Sequence, residues 1–332
     1  VTTPDRVDER TGPSAPGEGI AVAPNAPFFI LMNSASGKHD GNDVRLEIEN
    51  AFAQAGRRFS IEAVDDTPSL KSKTRDVVQR ARVEGAVVVA AGGDGTINTV
   101  AEATLGSGCC FGLIPLGTFN YFSRAHGIPS DVRAACKILL GERAFAVQVG
   151  LLNDRVFLVN ASLGLYPELL DEREQAKRQL GRSRLVALGA ALKTLLRQHP
   201  NLCVDLQTNE LRRPIVTRTL FVGNNRLQLE RVGIPASELV EQHRLMAVLV
   251  KPTGSVGAFR LLLNAALGRL GEVDEVVSFA LEALTVRPRT RQRAVKVAID
   301  GEVSWIEPPI TFRVARQPLL LLRPPETRGD PG

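Results

Sequence analysis

Ala90-Ala91-Gly92-Gly93-Asp94-Gly95-Thr96-Ile97-Asn98 is the stretch on which the reading of this chain turns. Directly before it runs Ala86-Val87-Val88-Val89, unbroken and apolar, and directly after it Ile97 to Leu105 is spaced as a helix. A Val-rich run with no polar face predicts a strand covered on both sides, as in a parallel sheet. Glycines in the turn let the backbone approach a ligand where a Cβ would clash. The helix behind them points free N–H groups at the same spot, which favours an anion such as phosphate. Asp94 sits in the middle of that turn, where a carboxylate repels phosphate unless a cation or hydrogen-bonding partner intervenes. The first expectation is therefore phosphate chemistry assisted by a metal. A tight turn that merely carries an Asp is the alternative, because a lone glycine pattern is a weak signal.

Upstream, residues 1–26 are polar and rich in Pro and Gly, which predicts a disordered leader. Phe28 to Met32 is a short apolar strand that runs into Asn33-Ser34-Ala35-Ser36-Gly37-Lys38. Helical spacing follows over 43–56, a strand over Phe59 to Val64, and a basic amphipathic helix over 71–84. Downstream, Phe111 to Ile114 runs into Pro115-Leu116-Gly117-Thr118-Phe119-Asn120-Tyr121, and 131–140 is helical up to Gly141. This alternation predicts a parallel sheet with right-handed crossovers. Ligands of such sheets sit at the carboxyl ends of the strands. Three polar, glycine-containing turns lie at those ends, so nucleotide or phosphate binding is expected there.

After Gly141 the pattern changes. Strands are expected over 143–164 with a turn at Asn153-Asp154, then a long helical stretch over 168–198. Further strands are expected over 201–208, 215–223 and 244–250, and a helix over 256–267. Short strands follow at 276–281, 284–287, 294–299, 310–314 and 319–322, a spacing that indicates an antiparallel sandwich or barrel. Ile299-Asp300-Gly301-Glu302 reads on its own as an Asp-Gly hairpin. Residues 323–332 read as a disordered tail. The organisation expected is a leader (1–26), an α/β nucleotide-binding domain with a parallel sheet (27–145), an antiparallel β-sandwich domain (146–322) whose final strands can return to the first domain, and the tail.

Composition narrows the function classes. The 332 residues are 44% hydrophobic and 23% charged, with a net charge of +5. That is a mild basic excess, short of a dedicated nucleic-acid binder. Aromatics are 5% with a single Trp, which argues against base-stacking platforms. Cys109, Cys110, Cys136 and Cys203 lack C-x-x-C spacing and read as small buried hydrophobes of a reducing compartment. No stretch approaches the roughly twenty apolar residues that span a bilayer.

Taken together, the turns resemble one family. Asn33-x-x-Ser36-Gly37-Lys38, Gly92-Gly93-Asp94-Gly95-Thr96-x-Asn98, Pro115-x-Gly117-Thr118-x-Asn120 and Asp300-Gly301-Glu302 match, in order and spacing, the diacylglycerol kinase catalytic domain family, which includes bacterial soluble lipid kinases and sphingosine kinases. Asn160-x-Ser162-x-Gly164 and Gly223-Asn224-Asn225 look like its second-domain landmarks. The resemblance implies ATP with Mg²⁺ in a cleft between the domains and transfer of the γ-phosphate to a lipid hydroxyl. It makes Asp300 and Glu302 the catalytic carboxylates, with Asp300 favoured as the base, and Thr67 a nucleotide contact. Backbone N–H groups at Gly93 to Thr96 and Ser36 to Lys38 would hold phosphate oxygens, aided by the Thr96 and Thr118 hydroxyls and by Lys38. Asp94 becomes the metal ligand. It also implies a lipid substrate at a membrane surface, a cytoplasmic and peripherally membrane-associated protein, no nucleic acid, and compatibility with a homodimer.

The chain departs from the family at two places. Tyr121 stands where many members carry an Asp after Asn120. Glu241-Gln242-His243-Arg244 replaces an Asp-Gly at which a structural Mg²⁺ binds, and a neutral amide is a poor exchange for a carboxylate there. Arg173, Lys177, Arg178, Arg182 and Arg184 form one basic cluster; Arg287, Arg289, Arg291 and Arg293 form another. Either could meet anionic lipid. Two other readings stay open: an NAD kinase-like enzyme, whose family shares the Gly-Gly-Asp-Gly-Thr turn, and a nucleotide- or lipid-binding regulator that has lost catalysis.

Overall fold

The structure, a computed structural model, describes residues 19–33, 41–64, 66–141, 143–164, 167, 201–208, 212–234, 243–254, 257, 260–261, 263–264, 267–290 and 292–325. Its first layer is a seven-stranded sheet. The strand order is β1 (Ile20–Ala21), β6 (Arg143–Val147), β19 (Leu319–Leu322), β5 (Phe111–Pro115), β4 (Val87–Gly92), β2 (Phe28–Met32) and β3 (Phe59–Ala63). The run from β19 to β3 is parallel, while β6 and β1 close that edge antiparallel. Every residue of β2, β4 and β5 is buried, as expected for apolar runs covered on both faces. The helices are α1 (Gly41–Gln54), α2 (Thr67–Glu84), α3 (Asp94–Thr104), α4 (Tyr121–Ala125) and α5 (Val132–Leu139). Helix α2 begins four residues before the expected start at 71. Asp66 caps it by accepting from the Ser69 amide at 2.7 Å, Pro68 lies in its first turn, and Gly85 ends it in the left-handed conformation.

Two expectations about the ends are corrected. The leader was to run to residue 26, yet Ile20–Ala21 already pairs with Arg143 and Ala144, and Val22 and Ala26 are buried in the core. A two-residue edge strand carries no periodicity to read. The tail was to begin at 323, yet the Arg323 guanidinium lies 4.7 Å from the centre of the Phe145 ring.

The remaining strands form two six-stranded antiparallel sheets. One has the order β11 (Arg212–Thr217), β10 (Leu202–Gln207), β15 (Ala283–Pro288), β18 (Ile310–Val314), β7 (Gly150–Leu152), β8 (Arg155–Phe157). The other has the order β14 (Val276–Leu281), β13 (Leu245–Val250), β12 (Thr219–Gly223), β9 (Asn160–Gly164), β16 (Val295–Ile299), β17 (Glu302–Ile306). Alternate residues of both sheets, among them Leu163, Val222, Val297, Leu206, Val286 and Phe312, share a single core, so the two sheets make a sandwich. The fold class read from the sequence, a parallel α/β unit followed by an antiparallel sandwich, is the one observed. A short helix, α6 (Arg226–Arg231), covers the outer face of the second sheet and was not anticipated. The helical stretch expected at 168–198 and most of that at 256–267 lie outside the described residues. Cys109 and Cys136 are buried as expected, but Cys203 is exposed, because it sits on the outward face of β10.

Candidate active site

Parallel pairing puts the ends of β2, β4 and β5 side by side. Met32 is level with Ala91, and Gly92 with Pro115. The turns that follow stay joined: the Asn33 amide donates to the Ala91 carbonyl at 2.9 Å and the Leu116 amide to the Gly92 carbonyl at 2.8 Å. Asn33 Nδ2 donates to Thr96 Oγ1 at 3.2 Å, across 63 residues of chain. Thr67 opens α2 beyond the neighbouring strand β3. Ser36, Gly37 and Lys38 lie outside the described residues.

Helix α3 starts at Asp94 directly after β4, with Gly93 at its N-cap and no side chain capping it. Its first-turn N–H groups therefore keep no partner within the helix and face the turn. Gly117 brings the neighbouring turn onto this one: a Cβ there would lie 3.0 Å from Gly93 Cα and 2.8 Å from Asn120 Oδ1. Asn120 is left-handed (φ 49°), and its amide donates to Asp94 Oδ2 at 3.2 Å. Burial pushes the Asp94 carboxyl above its usual range, against hydrogen bonds from the backbone amides of Asn120, Asp94 itself and Tyr121. A half-buried carboxylate that is costly to ionise suits a divalent cation carried with a nucleotide. Mg²⁺ commonly takes one or two carboxylates and completes its shell with water and phosphate oxygens. Among the described residues no cluster of three or more metal-ligating side chains occurs, and a site of this kind does not need one.

The second domain contributes the β16–β17 hairpin. Asp300 (φ 47°) and Gly301 (φ 89°) are its two central residues, both left-handed, as a tight two-residue hairpin requires. The two carboxylates of this motif have separate environments. Asp300 Oδ1 accepts from the Val159 and Asn160 amides, both at 2.9 Å; Oδ2 accepts from the Leu158 amide at 2.7 Å and from Asn98 Nδ2 at 2.7 Å. Four donors fill the roughly four acceptor positions of a carboxylate. Burial still pushes its pKa up to about 6 against those hydrogen bonds. Glu302 is exposed and engages no other side chain among the described residues. Its Oε1 lies 2.6 Å from where a Cβ on Gly95 would stand, so its carboxylate rests against the first turn of α3.

The expected site residues thus divide by what they touch. Gly93, Asp94, Gly95 and Gly117 are half-buried in the two joined turns, with Thr118 exposed beside them. Thr96 and Asn120 are buried, and the Thr96 hydroxyl is engaged by Asn33. Asn98 spends its amide on Asp300 and on the Val156 carbonyl at 3.1 Å, so it joins the domains rather than presenting that group to a ligand. Glu102, one helical turn on, accepts from the Val156 amide at 3.0 Å. Sequence reading passed over Glu102; its spacing of four from Asn98 on one helix face was the available signal. It also left Asn225 and Gln228 without a role. Asn160 Nδ2 donates to Gln228 Oε1 at 2.9 Å and Asn225 Nδ2 to the Tyr121 carbonyl at 3.2 Å, which ties α6 to both walls of the site. Tyr121 stacks on Phe119 with ring centroids 6.0 Å apart.

Residues 27–152 match the diacylglycerol kinase catalytic domain. Three of the four motifs behind the resemblance fall inside that match, and the Asp300 hairpin falls outside it. Relatives include a probable lipid kinase YegS-like of Cronobacter sakazakii, 39% identical over 145 residues, which are 42% of this chain and 46% of that protein. Another is a diacylglycerol kinase of Bacillus subtilis, 33% identical over 156 residues, 46% of this chain and 50% of that protein. The chain spans about half the length of the curated relatives it matches. A crystal structure of a diacylglycerol kinase from Bacillus anthracis has the same fold, with a TM-score of 0.67 at 19% identity over 91% of this chain and 98% of that one. No helix among the described residues is long and apolar enough to cross a membrane.

Of the basic clusters, Arg173 to Arg184 lies outside the described residues, as do Gln242 and Arg291. Within the second cluster, Arg289 is paired with Asp205 at 2.7 Å and Arg293 with Glu307 at 2.8 Å. Half of that cluster is therefore neutralised.

Proposed function

We propose that the chain is an ATP-dependent lipid kinase that transfers the γ-phosphate to a lipid hydroxyl. The observation that carries this reading is the meeting of Glu302 with the first turn of α3. An exposed carboxylate of the sandwich domain, without an ion pair among the described residues, rests against Gly95 in the helix turn whose N–H groups would hold a nucleotide's phosphates. In this reading the α3 N-terminus and the Gly93 to Gly95 backbone hold phosphate oxygens, and Asp94 holds the accompanying Mg²⁺. That ion would supply charge neutralisation on the phosphates.

Glu302 takes the proton from the acceptor hydroxyl as its oxygen bonds to the γ-phosphorus and the bond to the β–γ bridging oxygen breaks. The base favoured from sequence was Asp300. Its acceptor positions are filled by Leu158, Val159, Asn160 and Asn98, so it is read here as a positioning residue. It fixes the 158–160 segment and the α3 contact, and through them the placement of Glu302. The test is transfer of labelled phosphate from ATP to a panel of diacylglycerol, sphingoid base, ceramide and phosphatidylglycerol, with NAD as the soluble competitor. A labelled lipid that disappears in Glu302→Gln supports the reading; labelled NAD and no labelled lipid overturns it.

We also propose peripheral contact with a lipid surface. Trp305, the only tryptophan, is 62% exposed on β17, three residues from Glu302, with Lys296 Nζ 5.7 Å from its ring centre. A cation beside an exposed indole suits a bilayer interface. Anionic vesicles at low salt should shift the Trp305 emission to the blue, and unchanged emission together with no co-sedimentation rejects the contact.

A further inference from the structure

Strands β11 and β14 are the outer strands of their sheets, on the side of the sandwich opposite β8 and β17. A cavity of about 460 Å³ opens between them. Its floor is sandwich core: Leu206 and Leu284 are buried, and Ile215 and Phe279 pack against the same cluster. Arg213, Arg244 and Glu282 also line it. All three are exposed, and their side chains make no ion pair among the described residues. In the sheet order β14-β13-β12-β9-β16, four strand spacings separate this cavity from the Asp300 hairpin, roughly 19 Å at about 4.8 Å each. The cavity is therefore separate from the site already described.

We propose that this cavity is a second lipid site, one that takes a single acyl chain bearing an acidic head group. The apolar floor calls for a hydrocarbon occupant, and the volume lies within the roughly 300–1,000 Å³ of small-molecule sites. Two arginines against one glutamate leave the lining positive, and a guanidinium presents a fork of donors that matches a carboxylate or a phosphate. A free fatty acid and a phosphorylated lipid share that chemistry. The proposal rests on the cavity alone, and the measurement below needs no ATP and no turnover.

A fluorescent fatty acid is titrated into the full chain, then displaced with palmitate, with palmitoyl lysophosphatidate and with hexadecanol. The acidic amphiphiles displace the probe and the neutral alcohol does so at least tenfold less well; which acid competes better identifies the source. The double variant Arg213→Ala/Arg244→Ala, altered only at exposed positions, loses tenfold or more in affinity, at the strength of charged hydrogen bonds. Its basal phosphate transfer is unchanged. Glu302→Gln keeps full affinity. Equal binding by the arginine variant, equal competition by the alcohol, or loss of binding in Glu302→Gln overturns the proposal. A failed kinase assay leaves the binding result standing, so the two readings fail separately.

Discussion

Asp300 and Glu302 belong to one hairpin and are separated by one glycine, yet they occupy opposite environments. Asp300 sits in a socket of four donors between the sandwich and α3, while Glu302 is exposed beside Gly95 with no side-chain partner among the described residues. The first carboxylate has its acceptor positions filled by protein donors, and the second has no hydrogen bond to a side chain among the described residues. The left-handed turn separates them, since Asp300 is a turn residue and Glu302 opens β17, and only the neighbouring chain decides which one is satisfied.

The largest effect should come from Glu302→Gln. Phosphate transfer falls by about 10²–10⁴-fold, the range for a general base, with the melting temperature unchanged. A drop below threefold would return the base to Asp300. Asp300→Ala should lose stability first. It strands three backbone N–H groups and Asn98, at about 1–3 kcal/mol for each group left buried and unpaired and with partial relief by water. Thermal unfolding should shift by several degrees, and activity should fall with it. If activity fell with no shift, the socket would be chemical rather than structural.

Gly95→Ala tests the contact itself. The new Cβ meets Glu302 Oε1, the far end of a flexible side chain, so the carboxylate must move. Alanine also favours the helix by up to about 1 kcal/mol. Activity should therefore fall about tenfold while thermal stability holds or rises, an outcome that a simple packing defect cannot produce.

The smallest effect is the pH dependence of stability. Burial holds the Asp300 carboxyl near 6, above the ordinary carboxylate value of 3.8. A group that binds its proton more tightly when folded adds stability at low pH and loses it as pH rises through about 6. Wild type should gain stability from pH 7.5 to 5 by an increment missing in Asp300→Asn, measured by denaturant titration at both pH values. An increment of opposite sign would mean that the four hydrogen bonds outweigh burial.

The parallel half of the fold was legible because its signals are local. Val87 to Val89 and Phe28 to Met32 are apolar runs too uniform for a half-exposed strand, and each ends in a polar turn. Helix α6 and strand β1 were not legible: six and two residues are too few for a period to emerge. Among site residues, Asp94 and the glycines followed from the turn, and the Asp300-Gly301 hairpin from its dipeptide. Asn98 was readable as part of a motif, but its role as the link to Asp300 and Val156 was not, since those partners lie 202 and 58 residues away.

By itself, then, the sequence determined the strand–turn–helix units, the antiparallel second half and which residues stand in the turns that end β2, β4 and β5. Periodicity, glycine and the Asp-Gly turn act over a few residues and need no context. That a final strand can return to the first sheet was expected; the tertiary structure alone decided that β19 does so between β5 and β6, that the Asp300 oxygens are filled, and that Glu302 reaches Gly95. Each of these depends on which distant donor or strand arrives, and hydrogen-bond capacity can be counted only once the neighbours are in place.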